Sequence, residues 1–536
     1  MPSVFVAWLP KWAQTVVLLA LLIPLLALGG LYTPTITDMT SGMGTLGEYF
    51  ILANYFATIG TVAGFTVVLR LLTWQPPKRL LLFVFSGLLL IHIISAQTAS
   101  PEIIVGLTFL SGVLKITGML VLVIPLMPIM SPTGDRPQFY TIFYPIILSV
   151  GQAAGVLTSY LAYTYNWQFV YLYMIPILLA CLLLTLVCYT YERAMPYVPI
   201  TGIDWLSFFQ LNSALMLLCY VCAFGRLEDW FVSPRIQGSS IACGLLGLWF
   251  VCRQLTREQP LVNLHMLKRR NVWLGCLLFM LLGIFLASSS LQSTLTTGIL
   301  RFDAPTSARL NLWMIPGILL GSAYCYYWFK FKRQRGFKGL FLLGFGAYVA
   351  AHALLYFLVA PGTGYDDLIL PTFLRGLGMV LLFIVGGLFL TDKLSQAEMM
   401  ATSFFMTLSR SLLCVLVFST LFTNWSYRAQ VKNASELAAH MDALDPQLLA
   451  RVQPAGQAAA ARGADAQVAM QQSLYALVQP QAILITVREI LGYIVLAGFG
   501  VLLFVLLTRL RPLNRRQLVN WRRRWRGQPS FSIEGI

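Results

Sequence analysis

"MMATSFFMTLSRSLLCVLVFSTLFTNW", Met399–Trp425, decides which solvent this chain folds in. From Thr402 to Phe422 its only charge is Arg410, and the run has the length of about 20 apolar residues that a helix needs to cross hydrocarbon. A guanidinium at the centre of such a span costs about 2.5–3.5 kcal/mol on insertion scales, so Arg410 asks for a reason. The rest of the chain agrees about the solvent: 58% of its 536 residues are hydrophobic and 11% charged, with mean hydropathy +0.74. Ordinary globular chains are about 25% charged, so the composition is that of an all-α polytopic membrane protein.

Apolar runs divided by short polar breaks give fourteen candidate spans. They run approximately Trp12–Thr33, Phe50–Leu72, Leu80–Ile94, Ile103–Met127, Phe139–Tyr160, Trp167–Tyr189 and Trp205–Phe224. The second seven are Ile236–Val251, Val272–Leu295, Leu310–Phe329, Leu340–Leu358, Leu368–Leu390, Thr402–Phe422 and Ile490–Leu507. The first run is too long for a signal peptide and lacks a small-residue cleavage site, so it reads as a retained helix. Basic loops at Lys78 and Arg79, at Lys268–Arg270 and at Lys330–Lys338, followed by an Arg/Trp-rich tail at 509–536, place both termini in the cytoplasm. The net charge of +17 is then a topology signal with no call for nucleic acid, and the tail suits anionic lipid headgroups. All nine cysteines fall in apolar runs, where they act as small apolar side chains, so neither metal nor cofactor is expected.

Residues 426–482 form the one long connection, which by parity is external. Its stretches "SELAAHMDALDPQLLARV" and "ADAQVAMQQSLYALV", around a "QPAG" break, predict a helical hairpin. Its apolar positions either close the hairpin on itself or present a docking face.

Prolines within the spans (Pro24, Pro125, Pro145, Pro176, Pro316) and many glycines describe bending, closely packed helices, as in carriers. A membrane-embedded glycosyl- or acyltransferase is the competing class and would need Asp366 and Asp367 to hold a metal; solvated loop residues are the plainer reading of that pair. Lys115, Arg375 and Arg410 are the cations within spans, and the acids Glu48, Glu102, Asp204, Asp367 and Glu489 fall near span ends. For each arginine, hydrogen bonding to carbonyls of a neighbouring helix competes with a place on a substrate pathway.

"FGRLEDWFVSPRI" (Phe224–Ile236), followed by "REQPLVNLHMLKRRNV" (Arg257–Val272), resembles the linker region of the fourteen-helix drug:proton antiporters, the EmrB/QacA type of the major facilitator superfamily. "NWQFVYLYMIPI" (Asn166–Ile177), "SLQS" (Ser290–Ser293), "MIPG" (Met314–Gly317), "LRGLGMV" (Leu374–Val380) and the opening stretch resemble its motifs in order along nearly the whole length. Departures are equally clear. Leu25 stands where the family has an aspartate, "LRLLTWQPPKRL" lacks the acid of the loop motif, Thr108–Gly112 lacks the arginine of the fourth helix, and Gly151–Gly155 lacks the antiporter proline.

The resemblance implies a major facilitator fold of six plus six helices: 1–194 as one half, 195–256 as two inserted helices, and 257–508 as the other half with the external hairpin. It places Lys115, Arg375 and Arg410 on a central cavity with Asn54, Tyr55, Gln152, Ser289 and Gln292, and puts His92 and His352 on peripheral helices. Gly151, Gly155, Pro316, Gly317, Gly376, Lys78 and Arg79 become gating or packing positions, and Lys115 the stand-in for the missing proton-carrying aspartate. The function expected is an inner-membrane, non-enzymatic exporter of small amphiphilic neutral or anionic compounds, driven by protons. A periplasmic adaptor and an outer-membrane channel are its expected protein partners. The alternative within transport is a dedicated exporter of one organic anion, such as a siderophore or a fatty acid.

Overall fold

The computed structural model describes residues 4–30, 35–131, 135–193, 203–331, 336–392, 394, 396–440 and 446–508. Residues 509–536, the expected lipid-binding tail, lie outside the described residues, as does the expected boundary at 194/195. Apart from a single bridge between Phe5 and Tyr189, the described elements are helical.

The helices are α1 (Lys11–Ala27), α2 (Gly47–Trp74), α3 (Pro77–Gln97), α4 (Pro101–Met130), α5 (Arg136–Thr164), α6 (Phe169–Cys188) and α7 (Trp205–Phe224). They continue as α8 (Pro234–Thr256), α9 (Arg270–Ile299), α10 (Met314–Phe331), α11 (Lys338–Leu358), α12 (Ile369–Leu390), α13 (Ala401–Ala439) and α14 (Ala466–Leu507). Twelve of the described helices are long and apolar enough to cross a membrane. The other two of the fourteen expected segments are α1, a shorter apolar helix, and α10, of 18 residues. A proline in the first turn starts α3, α4, α5 and α8, where its missing N–H needs no partner.

One buried core runs from Phe5 to Tyr189 through α1 and α3 to α6. A second joins α9 to α12 and α14, and Tyr144 and Leu148 of α5 are built into it. A third packs α2 against α7, α8 and α13. The same local devices occur in the first and second cores. Lys78, at the start of α3, donates to the last turn of α6 through Leu186 O at 2.8 Å; Lys338, at the start of α11, donates to Leu506 O in the last turn of α14. Each lysine thus satisfies carbonyls that the helix end leaves open and faces the negative end of the helix dipole.

Glycines set the closest helix pairs. A Cβ on Gly60 would lie 2.1 Å from Phe109 O, and one on Gly112 2.1 Å from Ala57 O, where α2 meets α4. Where α10 meets α12, a Cβ on Gly317 would lie 2.2 Å from Phe373 O and one on Gly376 2.2 Å from Met314 O. Backbones this close exclude any side chain.

The inserted helices are joined by a strained turn in which Asp229 (φ 50°) and Trp230 (φ 55°) are both left-handed. Trp230 Nε1 donates to Asn424 Oδ1 of α13 at 3.2 Å, which gives the strain a purpose by tying the insert to that helix. At their other end Asp204 caps α7 and receives Arg253 at 3.1 Å and Arg257 at 2.8 Å. Burial alone would raise this carboxyl, but the Arg253 and Ser207 hydrogen bonds prevail and hold it well below the usual carboxylate range.

The long connection differs from expectation. α13 runs on to Ala439, the helix Pro446–Ala460 contains the expected "QPAG" break, and α14 begins at Ala466 rather than near Ile490. Pro454 is carried inside a helix of strong helix formers. The chain turns instead at Gly463 (φ 72°), after which Asp465 Oδ1 accepts from Gln467 N at 2.8 Å. The extensions of α13 and α14 are pinned by Asn433 Nδ2 donating to Thr486 Oγ1 at 2.9 Å. Glu489 therefore sits within a 42-residue helix, not at a helix end.

Gly376→Ala is expected to lower the stability of the detergent-solubilised protein by about 1–3 kcal/mol through overpacking. Gly151→Ala, with no atom within 4 Å of its new Cβ, should change it little. Size-exclusion after graded heating compares the two.

Candidate functional site

Arg410 lies in a wider π-helical turn, Leu408–Leu413, between the straight parts of its helix. Such turns shift the side chains of a helix face and are common at functional sites. Its guanidinium donates to Tyr144 Oη at 2.9 Å, and its centre lies 5.6 Å from the Tyr144 ring, 5.9 Å from Phe279 and 4.7 Å from Phe383. Side chains of α5, α9 and α12 thus surround one cation. Aromatic faces contribute up to about 2 kcal/mol when desolvated. Arg410 Nε has no hydrogen-bond partner. Its neighbours in place of a backbone carbonyl, one of the two readings open from sequence, are a tyrosine hydroxyl and three rings.

Arg375, 7% exposed on α12, has different neighbours. It lines a cavity of about 10 Å³ with Gln292, Ser288, His352 and five leucine and valine side chains. Gln292 Nε2 reaches Thr372 Oγ1 at 3.4 Å, while Gln292 Oε1 and Arg375 Nε have no partner. His352 is buried at 1% exposure, with Nε2 2.6 Å from Ser288 Oγ and Nδ1 2.7 Å from Tyr348 O. Both histidines pack inside their helix contacts: His92 is 2% exposed and lies against Tyr171.

Lys115 is half-buried on α4, its Nζ 2.9 Å from where a Cβ of Gly29 would stand, at the end of the first helix. None of the ion pairs among the described residues includes Lys115, Arg375 or Arg410. The three cations have three separate surroundings. Gln292 and Arg375 share a cavity. Tyr55 is buried in the third core near Cys219 and Cys222 of α7 and Ser419 of α13. Asn54 and Gln152 are half-buried, and Ser289 is exposed.

Of the packing positions, Gly317 and Gly376 face each other's helices, Gly151 adjoins open space, Gly155 O accepts from Thr158, and Pro316 is exposed in the first turn of α10. Lys78 and Arg79 both lie over the Tyr191 ring, at 4.7 Å and 5.9 Å. Asp367 is engaged in a turn, accepting from Gly364 N at 2.9 Å. Tyr144, Phe279, Phe383, Ser288 and Thr372 were missed by the sequence reading. Tyr140 and Tyr144, one helical turn apart and stacked at 5.4 Å, were the available signal.

Solved structures place the fold: the chain superposes on the peptide transporter POT in complex with sulfate (TM-score 0.57, 14% identity, 93% of this chain and 95% of that one). It also superposes on the nucleoside transporter NupG (TM-score 0.51, 13% identity, 92% and 100%). The fold is that of the major facilitator superfamily. In sequence the chain is similar to the colistin resistance protein EmrB of Acinetobacter baumannii, 24% identical over 255 residues, 46% of this chain and 47% of that protein. It is also similar to the multidrug export protein EmrB of Escherichia coli, 22% identical over 309 residues, 56% and 58%. The chain spans about half the length of the curated relatives it matches, and these matches bear out the EmrB/QacA resemblance. No family model matches.

Tyr144→Phe keeps the ring against Arg410 and removes the hydroxyl. It should cost about 1.5–3 kcal/mol, the range for a hydrogen bond to a charged group, in the heat stability of the purified protein.

Proposed function

We propose that the chain is an inner-membrane secondary active exporter of amphiphilic compounds, neutral or anionic, driven by proton antiport. The observation that carries this reading is Arg410, an intramembrane cation that none of the ion pairs among the described residues includes: a path past such a charge favours substrates that are neutral or that supply negative charge themselves. The carrier fold and the names of the EmrB relatives support export as the direction.

In this reading the halves 1–194 and 257–508 rock about the contact of α5 with α10 and α12, and 195–256 rides as an insert. Arg410 is the cation that substrate meets, released from Tyr144 as the halves part. Lys115 carries the coupled proton, because a buried amine can lose its charge. Asn54, Tyr55, Gln152 and Ser289 supply polar contacts along the path. The helix Pro446–Ala460 and the ends of α13 and α14 form the face for a periplasmic adaptor that leads to an outer-membrane channel.

Everted vesicles test the reading. Uptake of an anionic amphiphile should require an inside-acid pH gradient; Arg410→Gln should reduce it more than uptake of a neutral analogue, and Arg410→Lys should keep part of it. Removal of Pro446–Ala460 should abolish export from intact two-membrane cells while vesicle uptake persists. Unchanged uptake per folded molecule in Arg410→Gln, for every substrate, would make Arg410 a packing residue.

A further inference from the structure

The Arg375 cavity holds a charge that its surroundings leave unanswered. The side chain is 7% exposed, its Nε has neither partner nor solvent, and no ion pair among the described residues includes it. Arginine stays protonated in proteins, so the charge cannot be removed by loss of a proton. A buried, unpaired ion is costly enough that such groups are paired, as a rule, with an opposite charge. The nearest polar neighbours are neutral. Ser288 is committed to Phe285 O and to His352, and Thr372 donates to Leu368 O at 2.7 Å.

We propose that this cavity is a binding site for one small monovalent anion of halide size, held by the Arg375 guanidinium within the α9, α11, α12 and α14 bundle. The volume of about 10 Å³ admits a single occupant little larger than a water, which excludes the head and tail of an amphiphile. The walls Leu291, Leu295, Leu355, Val487 and Leu491 are apolar, and suit an ion that is weakly hydrated and forms few hydrogen bonds. Gln292 supplies the second contact. Its 3.4 Å bond to Thr372 uses one of the two Nε2 hydrogens, and the other is left for the anion. The anion neutralises Arg375 where it stands and joins α12 to α9 and α14. It is a resident structural ion, separate from the substrate proposed for Arg410.

The test uses the purified full chain in detergent at constant ionic strength, with chloride, bromide or gluconate as the only anion. A ligand that binds only the folded form raises the melting temperature in a saturable way. Chloride and bromide should raise it by a few degrees over gluconate, Gln292→Leu should weaken the response, and Arg375→Gln should abolish it. Should Arg375→Gln fail to fold, the wild-type series and Gln292→Leu still decide. Equal melting in all three salts, or an undiminished halide response in Gln292→Leu or in folded Arg375→Gln, overturns the proposal. Stabilisation by decanoate but not by chloride also overturns it, and assigns the cavity to a substrate head group. Vesicle uptake is a separate readout, so export and the halide site succeed or fail independently.

Discussion

The contact of Arg410 with Tyr144 is the point on which the arrangement turns. A guanidinium that cannot shed its proton sits among apolar helices, and what stabilises it is one phenol hydroxyl and three aromatic faces. Those groups come from α5, which threads from the first core into the second, and from α9 and α12, which belong to the second. The interaction links the helices and, unlike a buried ion pair, leaves a net positive charge for another partner. A carboxylate in the same place would close the site electrostatically.

Around that contact the two outer cores repeat their construction. Lys78 and His92 on α3, and Lys338 and His352 on α11, stand at the same spacing, each lysine capping another helix and each histidine bonding the carbonyl one turn back. The glycine pairs Gly60–Gly112 and Gly317–Gly376 repeat in the same way. Among the described residues, the polar contacts between the cores include Arg410 to Tyr144, Ser322 to Thr141 O and Arg136 to Thr391 O.

Much of this could be read in the chain. Runs such as Leu80–Ile94 and Leu368–Leu390 are apolar over nearly the whole thickness of a membrane, so the span itself is the signal. Side-chain direction was harder, because a helix apolar all round has no polar face to orient it. The aromatic surroundings of Arg410 went unseen for that reason, because Phe279 and Phe383 are indistinguishable from packing residues in sequence. In the long connection the helices are as expected and the turn is displaced. Pro454 was read as a break, but a proline in an alanine-rich helix is overridden by its neighbours, and the true reversal lies at Gly463 and Asp465, a left-handed glycine before a helix cap. Of the candidate site, Arg375 and Gln292 do meet, whereas Lys115 stands apart beside Gly29.

The account's central claim is that an unneutralised positive charge selects the substrate. Its most direct measurement is transport by the purified protein in liposomes of two amphiphiles with the same tail and opposite head charge, a carboxylate and a quaternary ammonium, at equal driving force. The account predicts faster saturable transport of the carboxylate. Preference for the ammonium compound would contradict it.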